Sequence, residues 1–385
     1  MVLSGNDGCI VARSQEVKDM GIPMGVPYFQ VKDSLTKAQT TTFSSHFALY
    51  RDISRRVFTV MRQELETVQQ YSVDEAFFAV APGDKHTAWR VKQAVEQRVG
   101  IPVSVGLAPT KTLAKQINAL AKKQSGVGVF APKAWLDESK KVPLASIWGV
   151  GGRMELQYKK HGFQTVYDLV QADATRVKAL FGVVGLRLQN ELAGQSVYTL
   201  EESIEQQKSI MSSRSFRAET NDLSVLADAV AYHVRHAMED LRAMHMKARS
   251  LRVSATPSRH GDFVLRGGSA EVVFTQPTDN TVEVLREAQR LLQGLHETAV
   301  PYKKVGVVLA DFTPTEVGQK SLFTSEVLLE KSSQLMSLVD TLNAGKRKDL
   351  VTVGSRLKPR LWQSKSDVRS PAYTTRWKDI QTVKT

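Results

Sequence analysis

Two adjacent acids constrain this chain more than any other feature. Residues 71–80 read YSVDEAFFAV, an apolar and aromatic run of the kind that enters a core as a strand, with Asp74 and Glu75 in its middle. Burying an ionised carboxylate is costly unless a cation or a hydrogen-bond network compensates it. Neighbouring side chains on a strand point to opposite faces. Both acids can therefore serve one site only near a strand end, at a bulge, or where a metal gathers them. The simpler arrangement is one acid in solvent and one paired with a Lys or Arg.

A second stretch bears on that choice. SVGLAPTKTLAKQINALAKK, residues 104–123, reads as a strand passing through a turn of small residues into a helix. Thr110 is placed to cap that helix, and Lys111, Lys115, Lys122 and Lys123 stud it. Helix N-termini and lysines both bind phosphate. Acids that hold Mg²⁺ beside lysines that hold phosphates suit a nucleotidyl-transfer site.

The chain as a whole fits an intracellular partner of polyanions. Its 385 residues carry a net charge of +13, and no apolar run approaches the roughly 20 residues of a membrane span. The first thirty residues include Asp7, Arg13, Glu16, Lys18 and Asp19, which excludes a secretory signal. A single cysteine, Cys9, excludes an internal disulfide. A soluble cytoplasmic protein is expected, with nucleic acid as first partner. From Thr341 to Thr385 there are eleven Lys or Arg against three Asp, so +8 of the charge lies in the last 45 residues. Trp362, Tyr373 and Trp377 interleave with that charge, which is unusual for a purely solvated tail.

Periodicity divides the chain. VLSGNDGCIVARS reads as two short apolar runs around a hairpin turn at Asn6-Asp7-Gly8. Residues 46–69 carry apolar side chains at helical spacing and precede the strand with the acids. A helix at 86–98, a strand at IPVSVGLA, a helix at 110–123 and a strand at GVGVFA complete an α/β domain. Residues 136–200 read as all-helical, opened by the glycine-rich turn WGVGG and repeating a Gly-turn-helix at FGVVGLRLQNELAG. Strands at 209–217, 250–256, 269–275 and 304–312 alternate with helices at 223–247 and 281–296 in a β-α-β-β-α-β order, which is ferredoxin-like. Past Pro314 a helix is expected near 325–343.

YSVDEAFF and SVGLAPTKTLAKQIN together resemble the palm of the Y-family, or translesion, DNA polymerases. The N-terminal stretch 2–29, FSSHFALYRDIS, SRSF at 213–216 and SPAYTTRW at 370–377 resemble its UmuC-like branch, the catalytic subunits of bacterial DNA polymerase V and their plasmid- and phage-borne relatives. The resemblance runs from Val2 to about Lys378. It implies a multidomain α+β architecture: fingers and a remnant of palm at 1–45, a ferredoxin-like palm at 46–135, a helix-hairpin-helix thumb at 136–200, a little finger at 201–315, and a clamp-binding segment with a basic extension at 316–385. It implies primer–template DNA and dNTP as substrates. Asp74 would bridge two Mg²⁺ ions and Glu75 would ligate the one that activates the primer 3′-hydroxyl. Lys122 would bind the triphosphate, and the backbone N–H groups of Gly149 and Gly151 would hold a DNA phosphate. Many relatives place a Tyr-x-x-Arg pair on the triphosphate; the matching positions here are Gln15 and Lys18, and Lys18 keeps the charge without the bidentate fork. UmuD′-like and RecA partners are further implications.

Family members begin with a strand that carries a first metal-binding aspartate, followed by an aromatic steric gate. This sequence starts about thirty residues later, so the expectation is a polymerase with part of its site missing and little or no primer extension. In GQKSLF, residues 318–323, Gln319, Leu322 and Phe323 fit the short pattern by which bacterial polymerases dock on the sliding clamp. A local loop contact is the plainer alternative. Two functions follow: error-prone, template-directed synthesis across damaged bases, or a non-catalytic accessory that binds DNA and clamp. A nucleotide cyclase on a similar palm leaves the thumb turn and clamp segment unexplained.

Overall fold

A computed structural model of the chain describes residues 1–3, 7–200, 207–258, 267–316, 326–344, 350–354, 362–363 and 366–382, with side chains in the 326–343 helix described from 331 onward. Gln319, Leu322 and Phe323 lie outside the described residues. The chain forms two compact units, Met1–His46 with Gln206–Ser370 and Phe47–Glu205 with Pro371–Thr385. No described helix is long and apolar enough to cross a membrane.

In the first unit, β1 (Val2–Leu3) pairs antiparallel with β2 (Ile10–Ala12). Asp7 between them has φ 50°, the left-handed conformation that Asp tolerates in turns, so the expected hairpin is present. Helices α1 (Gln15–Asp19) and α2 (Tyr28–Lys37) follow, and β3 (Phe43–Ser44) returns parallel to β1. Leu3, Ile10, Val17, Ile22 and Leu35 close a small core.

The second unit opens with α3 (Phe47–Glu64), then the hairpin β4 (Val68–Gln70) and β5 (Ala76–Phe78). Helix α4 (Lys85–Val99) starts where the Asp84 carboxylate accepts the Thr87 N–H at 3.0 Å, and it ends at Gly100 with φ 80°. Strand β6 (Val105–Leu107) pairs parallel with β7 (Val127–Val129) across α5 (Lys111–Ala121). A Cβ on Gly106 would lie 2.3 Å from the Ala114 carbonyl and the Asn118 nitrogen, so only glycine lets strand and helix approach this closely.

The helical half follows as α6 (Pro132–Ser139), α7 (Gly152–Lys160), α8 (Val166–Gln171) and α9 (Ala174–Leu192). Gly182, with φ 66°, kinks α9 where the sequence reads as a second Gly-turn-helix. Leu113 and Ile117 of α5 share one core with Trp135, Tyr158, Phe163 and Phe181, so α5 and the helices that follow it pack around one core. Glu191 lies inside it, 0% exposed. One of its carboxylate oxygens accepts the Thr112 N–H at 3.1 Å, and the other accepts those of Val197 at 2.7 Å and Tyr198 at 3.1 Å.

The remainder of the first unit has the expected β-α-β-β-α-β order: β8 (Ser209–Thr220), α10 (Leu223–Ala243), β9 (Met246–Pro257), β10 (Gly268–Thr278), α11 (Thr281–Leu295) and β11 (Tyr302–Pro314). Within the sheet the order is β10-β9-β11-β8 with every neighbour antiparallel, the last strand inserted between the first and second. Side-chain periodicity sets which face of a strand is buried and not its neighbour, so this order was not legible in the sequence.

Some described residues of the C-terminal region pack within this unit, which bears on its reading as a solvated or DNA-lying tail. Helix α12 (Glu326–Asn343) is fixed by Arg242, which donates to both oxygens of Asp340 at 2.6 and 2.7 Å. Trp362 is 1% exposed, and its indole N–H donates to buried Asp228 at 2.5 Å. Ser44 donates its backbone N–H to the Val368 carbonyl at 3.0 Å, and Ser44 and Arg369 form a parallel bridge beside β3. Trp377, 89% exposed, is unlike Trp362 in standing out in solvent.

Candidate nucleotidyl-transfer site

The acids do not lie in a strand. β4 and β5 end at Gln70 and Ala76, and residues 71–75 are the loop between them. The Glu75 carbonyl accepts the Tyr71 N–H at 2.9 Å and the Ser72 N–H at 3.1 Å, which closes the turn. Both Asp74 and Glu75 are exposed. The acids are therefore not in the middle of the strand but at its end, one of the alternatives left open by the motif: Ala76, Phe77 and Phe78 form the strand, and the acids stand at its tip. It also removes the alternation problem, because a turn does not force successive side chains to opposite faces.

Local hydrogen bonds position each acid. The Ser72 hydroxyl donates to Asp74 Oδ1 at 2.7 Å and accepts the Asp74 N–H at 3.2 Å, a short-range turn motif. Lys115 donates to Glu75 Oε1 at 2.8 Å. Lys115 sits one turn after Lys111 on α5, and Lys122 caps the same helix seven residues further on. At 3.6 residues per turn the three fall on one stripe. Thr110 caps the helix as expected, accepting the Leu113 N–H at 3.2 Å. Lys111 Nζ donates to the Thr199 carbonyl at 2.6 Å and lies 5.4 Å from the Phe77 ring centre.

An aromatic cluster surrounds these lysines. The Trp148 indole N–H donates to the Tyr71 hydroxyl at 2.8 Å, and the two rings meet edge to face at 5.2 Å. Phe77 and Tyr198 pack on Trp148 at 5.8 and 6.0 Å. Lys115 Nζ lies 5.1 Å from the Tyr71 ring centre and 5.3 Å from that of Trp148. The sequence motif showed Tyr71 only as a packing residue and Trp148 only as the letter before a glycine turn. Lys115 had been counted among phosphate-binding lysines; the structure places it on a carboxylate.

Trp148 leads into the thumb turn. Gly149 has φ 88°, a conformation costly for other residues, and Gly151 is the N-cap of α7. No atom lies within 4 Å of a Cβ built on either glycine, so the turn is open on that side. Lys18 is exposed at the end of α1, in the first unit, and the Gln15 amide is engaged by Asp19 at 2.7 Å. Among the described residues no group of three or more His, Cys, Asp or Glu comes together. Asp74 and Glu75 offer hard carboxylate oxygens on an exposed turn, a donor set that fits a divalent cation of the Mg²⁺ kind.

Comparison with known proteins defines the class and then the family. Against solved structures, the chain superposes on a Y-family DNA polymerase, the Dbh-Dpo4(243-245)-Dbh chimera, with a TM-score of 0.65 over 80% of this chain and 88% of that one, at 20% identity. The fold is that of the Y-family DNA polymerases, with fingers, palm, thumb and little finger. Residues 1–119 match the impB/mucB/samB family, residues 207–322 match its C-terminal domain, and residues 333–383 match a domain of unknown function (DUF4113). Protein SamB of Salmonella typhimurium is 33% identical over all of this chain and 93% of its own length. Protein UmuC of Salmonella typhimurium (strain LT2) is 32% identical over all of this chain and 94% of its own. The chain belongs to the impB/mucB/samB family, as the resemblance of its motifs implied. Members of the Y-family generally use divalent metal ions.

Proposed function

We propose that the chain is a template-directed, error-prone DNA polymerase that extends primers across damaged template bases. The observation that carries this reading is the exposed acid pair at the β4–β5 tip, flanked by the lysine stripe of α5, in a chain of Y-family fold. The accessory alternative has no observation in its favour.

In this reading Asp74 and Glu75 hold two Mg²⁺ ions. When bound, such ions activate the primer 3′-hydroxyl and offset the charge of the transferring phosphate. The Ser72 hydroxyl keeps Asp74 oriented. Lys122 is assigned to the triphosphate, and Lys18 keeps the role that the resemblance implies. The N–H groups of Gly149 and Gly151 are assigned to a DNA phosphate, in the open turn before α7. Primer–template DNA and dNTP are the substrates. Gln319, Leu322 and Phe323 are proposed to dock on a sliding clamp, with a UmuD′-like dimer and RecA as further partners at the nucleoid. The test is primer extension on undamaged and abasic templates. In the chain extended upstream by the Asp-bearing strand that the resemblance implies, Glu75→Gln should lower synthesis on both by about a thousandfold. Synthesis within tenfold of the same chain without the substitution would remove Glu75 from the reaction.

A further inference from the structure

Lys115 engages one of the two oxygens that Glu75 could offer a metal. Its ammonium sits 2.8 Å from Glu75 Oε1, and the two side chains are 23% and 44% exposed, so the pair is formed at the rim of solvent. Two further seats surround the same nitrogen, the faces of Tyr71 and Trp148 at 5.1 and 5.3 Å. The rings are held in place by the Trp148–Tyr71 hydrogen bond and by Phe77 and Tyr198 behind them. The ammonium meets the carboxylate and both ring faces at once, so it can release the carboxylate and keep the rings.

We propose that Lys115 is a positioning residue: a cation seated on the Tyr71 and Trp148 faces that holds Glu75 and competes with a metal for its carboxylate. Two adjacent carboxylates on an exposed turn repel each other. Lys115 offsets that repulsion and keeps Glu75 in the conformation in which it will be used. A divalent ion on Glu75 competes with the ammonium for one carboxylate, by displacing it from Oε1 or by binding Oε2 against its charge. The aromatic pair lets the displaced ammonium keep a favourable contact, close enough to meet incoming phosphate. Lys115 therefore lowers the intrinsic metal affinity and couples metal entry to the arrival of an anionic substrate. This inference rests on the assignment of Glu75 as a metal ligand.

The test is Mn²⁺ binding, followed by electron paramagnetic resonance, to the full chain with a dideoxy-terminated primer–template. Lys115→Met removes the charge and keeps the stem, and should tighten Mn²⁺ binding about three- to tenfold. Lys115→Arg restores a cation and should return the affinity to within about twofold of the unaltered protein. Glu75→Gln should weaken Mn²⁺ binding by about tenfold or more. Unchanged or weaker binding in Lys115→Met, with Glu75→Gln weakened, would overturn the role of Lys115 and leave the metal assignment standing. No effect of Glu75→Gln would remove the assignment and, with it, this inference.

Discussion

Two acids in one compact unit show what burial decides. Glu75 stands on an exposed turn and shares one oxygen with a lysine. Glu191 is wholly buried and accepts three backbone N–H groups, from Thr112 at the start of α5 and from Val197 and Tyr198 beyond α9. The buried acid has three of its roughly four acceptor sites spent on the fold and no surface open to a ligand. The exposed acid is held by one flexible partner and keeps an oxygen available. A structural role is therefore expected for Glu191, and a chemical one for Glu75 and its neighbour.

The largest stability effect should come from Glu191. Glu191→Ala would leave one buried and two half-buried N–H groups without acceptors, a loss of about 2–3 kcal/mol in urea unfolding. A loss below about 1 kcal/mol would mean that the helix start and the 197–198 segment are held by packing alone.

His233 extends the contrast to pH. It is buried on α10, with Nδ1 2.8 Å from the Ser212 hydroxyl. Burial, reinforced by Arg214, His236 and Lys304, pushes its pKa down to about 3. The unfolded chain takes up this proton near pH 6.5 and the folded one only near 3. Stability is thus complete above about pH 6.5 and falls as the pH drops toward 3, by on the order of a few kcal/mol for this group. In His233→Gln the slope between those values should flatten. An unchanged slope would assign acid lability to other groups.

The smallest stability effect belongs to the exposed pair. Lys115→Met should change unfolding free energy by less than about 1 kcal/mol, as rim ion pairs do. A larger loss would make the Lys115–Glu75 pair a part of the scaffold and erase the distinction from Glu191.

The sequence carried the outline of this molecule unevenly. The helical periods of α3, α4, α5, α10 and α11, and the alternating strands of the C-terminal sheet, were legible because each buries one stripe or face. Thr110 as a helix cap and the turn at Asp7 were legible from local chemistry. The acids were legible as a motif, and their setting was not: nothing in YSVDEAFFAV marks where the turn yields to the strand. Glu191 gave no signal, since its three partners lie 6, 7 and 79 residues away in sequence. Trp362 was read in a charged tail and lies in a core, because burial in a long-range contact leaves no local period.

The central claim is that the tip acids serve chemistry and leave the scaffold untouched. It is tested most directly by measuring primer extension and Tm on the same preparation of Asp74→Asn. In the chain extended upstream by the Asp-bearing strand that the resemblance implies, the account predicts extension reduced by about a thousandfold or more, with Tm within about 2 °C of the same chain without the substitution. Extension within tenfold of that chain would contradict it. So would a Tm lowered by about 8 °C or more, because the loss of activity would then follow from the loss of the fold.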